Sequence, residues 1–231
     1  MERSVLWEGL HNARDLGGLP VGQAATAFGK FYRAPRLDVL TDTGWGQLVA
    51  AGVRTLVDLR NLDEVKPLPV PAGVMRHHRP VEDQSDAEFM AAWAEHLNSP
   101  VYYADVLARW PDKVAGVFRC FLDAPEGGIV FHCSAGRDRT GMITALLLDL
   151  AGVPVDSIVE DYLVSVVIMN DYHGRHQPDV EPILQGEALQ AWMLKVGDHL
   201  RQFLRERPCA EFLTQCGFSP GELETVKGRL I

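Results

Sequence analysis

Ten consecutive residues, His132-Cys133-Ser134-Ala135-Gly136-Arg137-Asp138-Arg139-Thr140-Gly141, place a nucleophile, two guanidinium groups and a carboxyl group among small side chains. Before them runs Gly128-Ile129-Val130-Phe131-His132, a continuous apolar segment after a Gly-Gly turn, which predicts a strand buried on both faces. After Thr140, Gly141-Met142-Ile143-Thr144-Ala145-Leu146-Leu147-Leu148 is apolar almost all round and predicts a central helix. A strand that turns through small residues into a helix N-terminus gathers free backbone N–H groups around one point, and a dianionic phosphate is the natural guest of such a cradle. Cys133 opens the cradle, where the helix end, Arg137 and Arg139 would stabilise its thiolate as a nucleophile. Arg139, six positions on, can return across the cradle and grip two phosphate oxygens with a planar fork that Lys lacks. Ser134, Ala135, Gly136, Arg137, Thr140 and Gly141 complete the expected phosphate-binding loop. A Cys and an Arg at this spacing alone carry little; the whole string between a buried strand and an apolar helix is specific.

The string resembles the signature of the Cys-based protein tyrosine phosphatases. More narrowly it is similar to a bacterial branch reading His-Cys-x-Ala-Gly-Lys-Asp-Arg-Thr-Gly, with dual-specificity and phosphoinositide phosphatase members. Asn12-Ala13-Arg14-Asp15-Leu16-Gly17-Gly18, Val53-Arg54-Thr55-Leu56-Val57-Asp58-Leu59-Arg60 and Glu160-Asp161-Tyr162-Leu163-Val164-Ser165 extend the likeness in order over most of the chain. Arg137 stands where the branch usually has Lys. The resemblance implies a tyrosine-phosphatase-like fold and a reaction in which Cys133 attacks phosphorus to give a cysteinyl-phosphate. Arg139 then binds the phosphoryl oxygens and water hydrolyses the intermediate, with no metal and no cofactor needed. It implies as partner a phosphorylated protein, a phosphoinositide or a small phosphate ester, with inorganic phosphate as product.

A leaving oxygen needs a proton, and three carboxyl groups compete to supply it. Asp138, inside the cradle, is the acid that the resemblance implies. Asp58, near the C-terminal edge of a strand where α/β sites collect, is the second candidate, against an ion pair with Arg54, Arg60 or another cation. Trp110-Pro111-Asp112 spells an acid-loop tripeptide but coincides with a helix start and reads as a chance match. His132 either tunes the thiolate or bonds the backbone; Thr140 either caps the helix or donates to the sulfur. Arg14-Asp15 with Gly17-Gly18 reads as a tight turn in preference to a frame for the site. Arg76-His77-His78-Arg79 cannot chelate through adjacent histidines, which point to opposite faces of a strand.

The elements that must hold these groups alternate. Thr41 or Thr43 begins a short helix ended by Gly52, Val53 to Leu59 is a strand, and Ser85-Asp86-Ala87-Glu88 is a capping box. Pro111 opens a helix with the stripe Val114, Val117, Phe118, Phe121 and Leu122, Asp156 or Ser157 caps another, and Ser219-Pro220-Gly221-Glu222 starts the last. The pattern is α/β, a mostly parallel central sheet flanked by helices, with a helical C-terminal third. One domain over residues 1–231 is expected, with 166–186 a lid or a plain connection.

Composition agrees. The 231 residues are 47% hydrophobic, 23% charged and 8% aromatic, as in ordinary globular chains. A net charge of −9 with no basic run argues against a nucleic-acid partner. The apolar run Ile143 to Leu148 is far short of a membrane span. The first residues lack a secretion signal, and Cys120, Cys133, Cys209 and Cys216 show no disulfide spacing, so a cytoplasmic location is expected. A phosphate-loop nucleotide binder would need Lys-Ser or Lys-Thr where Gly141-Met142 stands. A non-catalytic phosphate-binding module, and less so a sulfurtransferase, are the rival functions.

Overall fold

The computed structural model describes residues 3–177 and 179–231. In chain order the strands are β1 (Arg14–Asp15), β2 (Pro20–Val21), β3 (Ala24–Ala25), β4 (Phe31–Ala34), β5 (Val53–Asp58), β6 (Met75–His78) and β7 (Gly128–His132). The α-helices are α1 (Asp42–Ala50), α2 (Ala87–Trp93), α3 (Tyr103–Arg109), α4 (Pro111–Asp123), α5 (Asp138–Ala151), α6 (Val155–His176), α7 (Gly186–Glu206), α8 (Cys209–Gln215) and α9 (Pro220–Gly228).

Five strands form the central sheet in the order β1-β4-β7-β5-β6, while β2 and β3 pair as a separate hairpin. β4, β7, β5 and β6 run parallel and β1 is antiparallel at the edge, so the sheet is mostly parallel as expected. The apolar run of β7 is buried at every residue because it lies between two strands and under helices on both faces. Its alternation divides the core. Ile129 and Phe131 join the larger cluster with Phe118, Phe121 and Ile143, whereas Val130 joins Trp7, Trp45 and Leu48 on the other face. Ala34, His132 and Asp58 stand level across β4, β7 and β5, so three parallel strands end together at the edge where the cradle begins.

α5 leaves that edge and is buried from Asp138 to Leu148, which explains a sequence without a polar face. α6, α7, α8 and α9 pack around it, and Gly152, at φ +84°, ends it. Thr41 caps α1 and Ser219 caps α9 with its reciprocal Glu222, both as the sequence predicts. Two starts differ. Ser85 turns back to Asp83, leaving Asp86 to cap α2 through the Phe89 N–H at 2.9 Å. α6 begins at Val155 after the extended Pro154, one residue ahead of the expected cap. Residues 166–176 are the second half of α6, so that part of the candidate lid is helix; Pro178 lies outside the described residues.

Candidate active site

Between the end of β7 at His132 and the start of α5 at Asp138, residues 133–137 form the cradle. Gly136 sits at φ +70°, and a Cβ there would fall 2.7 Å from the Ala34 carbonyl carbon and the Pro35 nitrogen. Only glycine lets the loop press against the exit of β4. The loop carbonyls are tied from outside. The Arg36 N–H donates to Ser134 O at 3.0 Å, Asn12 Nδ2 to Ala135 O at 3.0 Å, and Arg33 Nη2 to Gly136 O at 2.8 Å. In a trans peptide the N–H opposes the C=O, so the N–H groups of Ala135, Gly136 and Arg137 turn to the inside of the loop. No side chain caps the first turn of α5, whose free N–H groups add to the same anion-favouring field.

The anchors share one buried carboxylate. Arg33 Nη1 reaches Asp161 at 2.5 Å, Arg14 Nε at 3.2 Å and Arg3 Nη1 at 2.8 Å. Arg14 also holds Asn12 Oδ1 at 2.8 Å and Ser165 Oγ at 2.7 Å. Burial works against the Asp161 charge, but Arg14, Arg33 and Arg3 overcome it and hold the carboxyl far below the usual range. Asn12 and Arg14 therefore frame the site, the less favoured of the two expectations for that segment, and the turn is present beside it. The turn falls to Asp15, which accepts from the N–H groups of Gly17 and Gly29 at 2.7 and 2.8 Å.

Cys133, 2% exposed, lines a cavity of about 510 Å³ together with Asp138, Arg139, Arg137 and Glu82. Arg139 is gripped by Glu64 through both terminal nitrogens, with Nη2 to Oε1 at 2.7 Å. Glu64 Oε1 also accepts from the Ser134 hydroxyl at 2.7 Å. Burial would lower the Arg139 pKa, yet the bond to Glu64 and the charges of Cys133 and Glu82 push it above its ordinary value. The guanidinium is thus oriented, desolvated and permanently charged beside the sulfur. The Asp138 carboxyl is raised, first by burial and then by Glu181, against the opposing pull of Arg137 and of the Tyr162 hydroxyl, which donates to Oδ1 at 3.2 Å. Arg137, 4% exposed, holds Asp138 at 3.0 Å with Nε and Glu181 at 3.0 and 2.6 Å with its two terminal nitrogens.

Cys133, Asp138 and Arg139 share the cavity; of the other two carboxyl groups, Asp58, the second candidate acid, lies outside it, and so does Asp112, whose tripeptide reads as a chance match. Asp58 is not among the residues lining the cavity; Arg60 binds it at 2.9 and 2.8 Å and Arg76 at 2.9 Å, while Arg54 turns to the Val53 carbonyl. Burial would raise its pKa, but Arg60, with His132 and Arg76, drives it well below the carboxylate range, so Asp58 frames the edge of the sheet as an anion. Asp112, in the first turn of α4, lines a separate cavity beside Cys216. His132 Nδ1 lies 3.2 Å from the Cys133 carbonyl, and burial lowers its pKa to about 4, so the ring is neutral and donates there. Thr140 lies inside the first turns of α5, with Arg137 at the cap position, and its buried hydroxyl has no partner among the described residues. Glu64, Glu82, Glu181 and Arg33 carry no local motif, and only their fold neighbours reveal them. Asp161 alone left a trace, an acid between the buried Ile158, Val159 and Tyr162 of α6.

A family model described as the tyrosine phosphatase family matches residues 5–231. A tyrosine-protein phosphatase of Nostoc commune is 34% identical over 144 residues, 58% of this chain and 48% of that protein. A triple specificity protein phosphatase of Mycobacterium tuberculosis, PtpB, is 30% identical over 191 residues, 68% of this chain and 67% of that one. The chain spans about half the length of the Nostoc relative.

Proposed function

The chain belongs to the tyrosine phosphatase family, and on that premise we propose that it hydrolyses phosphate monoesters through a cysteinyl-phosphate on Cys133. The observation that carries this reading is a buried cysteine at the mouth of a loop whose carbonyls are tied outward, beside a guanidinium that Glu64 holds in place. The loop N–H groups and Arg139 bind the three non-bridging oxygens and hold them most tightly as charge develops in the transition state. Cys133 Sγ forms the bond to phosphorus while the ester oxygen leaves with a proton from Asp138, whose raised pKa keeps that proton available. Water then releases inorganic phosphate and restores the thiolate.

Substrates are phosphorylated proteins, with phosphoinositides and small phosphate esters as further members of the same chemical class. Arg137 lines the same cavity and serves a second anionic group when Glu181 yields it. All four cysteines are free, which fits a reducing, cytoplasmic compartment. Cys133→Ser should abolish aryl phosphate hydrolysis and keep inorganic phosphate binding, because the cradle is independent of the sulfur. Appreciable turnover by the serine variant would sink the covalent route; loss of phosphate binding with it would sink the cradle.

A further inference from the structure

Glu82 lies in the loop that follows β6, and the reaction described so far gives it no task. It is buried, 1% exposed, and lines the cavity with Cys133, Asp138 and Arg139. Its Oε1 accepts from the Gln84 side-chain amide at 2.7 Å and lies 3.5 Å from Arg139 Nε. Its Oε2 is shielded from solvent and meets no donor among the described residues. A carboxylate oxygen kept in that condition is costly, and native folds pair such groups almost without exception. Holding Arg139 does not explain it, since Glu64 already engages both terminal nitrogens of that guanidinium. Gln84 fixes one oxygen and leaves the other without a donor among the described residues, in a side chain that lines the cavity containing the nucleophile.

We propose that Glu82 is the general base of the second step, taking a proton from the water that attacks the cysteinyl-phosphate. The inference rests on the two-step reading above. The water oxygen forms a bond to phosphorus as the P–S bond breaks. The sulfur keeps the electron pair as the Cys133 thiolate, the water proton passes to Glu82, and phosphate leaves. Each carboxyl then has one direction of transfer, Asp138 giving a proton to the ester oxygen and Glu82 receiving one from water, and proton exchange with solvent resets both before the next turnover. Burial raises the Glu82 pKa, opposed by Arg139 and reinforced by Glu64 and Asp138, which makes its carboxylate a stronger base than an exposed one.

Rapid-quench kinetics of the whole chain with an aryl phosphate separates the steps. For Glu82→Gln the expected result is a burst of phenol equal to the enzyme, at a rate constant within a few-fold of the parent chain. A steady state slower by about 10² or more should follow, with phosphocysteine accumulating. Glu82→Asp, which keeps a carboxylate, should restore part of the second rate. In the unsubstituted chain, dephosphorylation should slow as pH falls through the Glu82 pKa while the burst does not, a test that needs no variant to fold. A burst slowed as much as the steady state would show that Glu82 merely orients Arg139 and would overturn the assignment, as would a steady state within about three-fold of the parent. Absence of phosphocysteine from both proteins would overturn the two-step reading and the assignment with it.

Discussion

Asp138 is subject to opposing demands at a single carboxyl. The start of α5 favours its anion, as does Arg137 at 3.0 Å, yet burial wins and the pKa rises. An acid so placed matters most when the departing oxygen is a poor leaving group. Asp138→Asn is expected to slow alkyl phosphates by about 10²- to 10⁴-fold and nitrophenyl phosphate far less. Asp112→Asn, in its separate cavity, should leave the leaving-group dependence unchanged. Activity of the parent chain on poor leaving groups should decline as pH rises through the raised Asp138 pKa, because the protonated form is lost, and the Asn variant should lack that limb. A steeper leaving-group slope in the Asp112 variant would reverse the choice of acid. Cys133, Asp138 and Arg139 were legible in the sequence because seven consecutive residues carry them. Glu64, which orients Arg139, was not, since its partner lies 75 positions away and short-range spacing carries no trace of such a pair.

The elements explain why the loop keeps its shape and what covers it. β4 ends against Gly136, so Gly136→Ala must move either backbone or strand; phosphate binding and kcat/KM should both fall by at least ten-fold, measured by titration and steady-state assay. Beyond α6 the chain returns to the rim. Asn170 holds Leu184 by two hydrogen bonds, N–H to Oδ1 at 2.9 Å and Nδ2 to O at 3.0 Å, and Glu181 fastens to Arg137. Glu181→Gln should free Arg137 and lower KM for a substrate with two anionic groups more than for an aryl monophosphate, and added salt should narrow the difference. An equal change on both substrates would leave Arg137 a structural residue. β7, α4 and α9 could be read from the sequence because apolar runs and caps are local signals. The start of α6 could not, because Pro154 supplies the N-terminal geometry with no polar side chain to mark it. The fastening of Glu181 was equally hidden, for a carboxylate in an irregular segment has no period.

Across the whole molecule the parallel order of β4, β7, β5 and β6 was implicit in the alternation of strands and helices, whereas the buried ionic cluster under the cradle was not. Three guanidinium groups converge on Asp161 and leave an excess of positive charge beneath the cradle, although the chain as a whole carries −9. Asp161→Asn strands those cations and should cost about 3–5 kcal/mol, a Tm lowered by roughly 6–20 °C in calorimetry. Arg3→Gln, at the partly exposed edge of the cluster, should cost about 1 kcal/mol or less. The depressed Asp161 pKa contributes stability that is complete above the ordinary carboxylate range and is lost as pH falls toward the depressed value, so the Asn variant should show a flatter acid limb of stability. Arg3 and Arg14 meet Asp161 across 158 and 147 positions of chain, and Asn12 meets Ala135 across 123. Closing loops of that size comes late in folding, after the local helices and the nearer strand pairs. During refolding the helical signal in circular dichroism should therefore recover before phosphate binding does. A ribosome-bound chain would likewise remain inert until the first residues found their partners in α6, so catalytic competence becomes a report that the fold has closed upon itself.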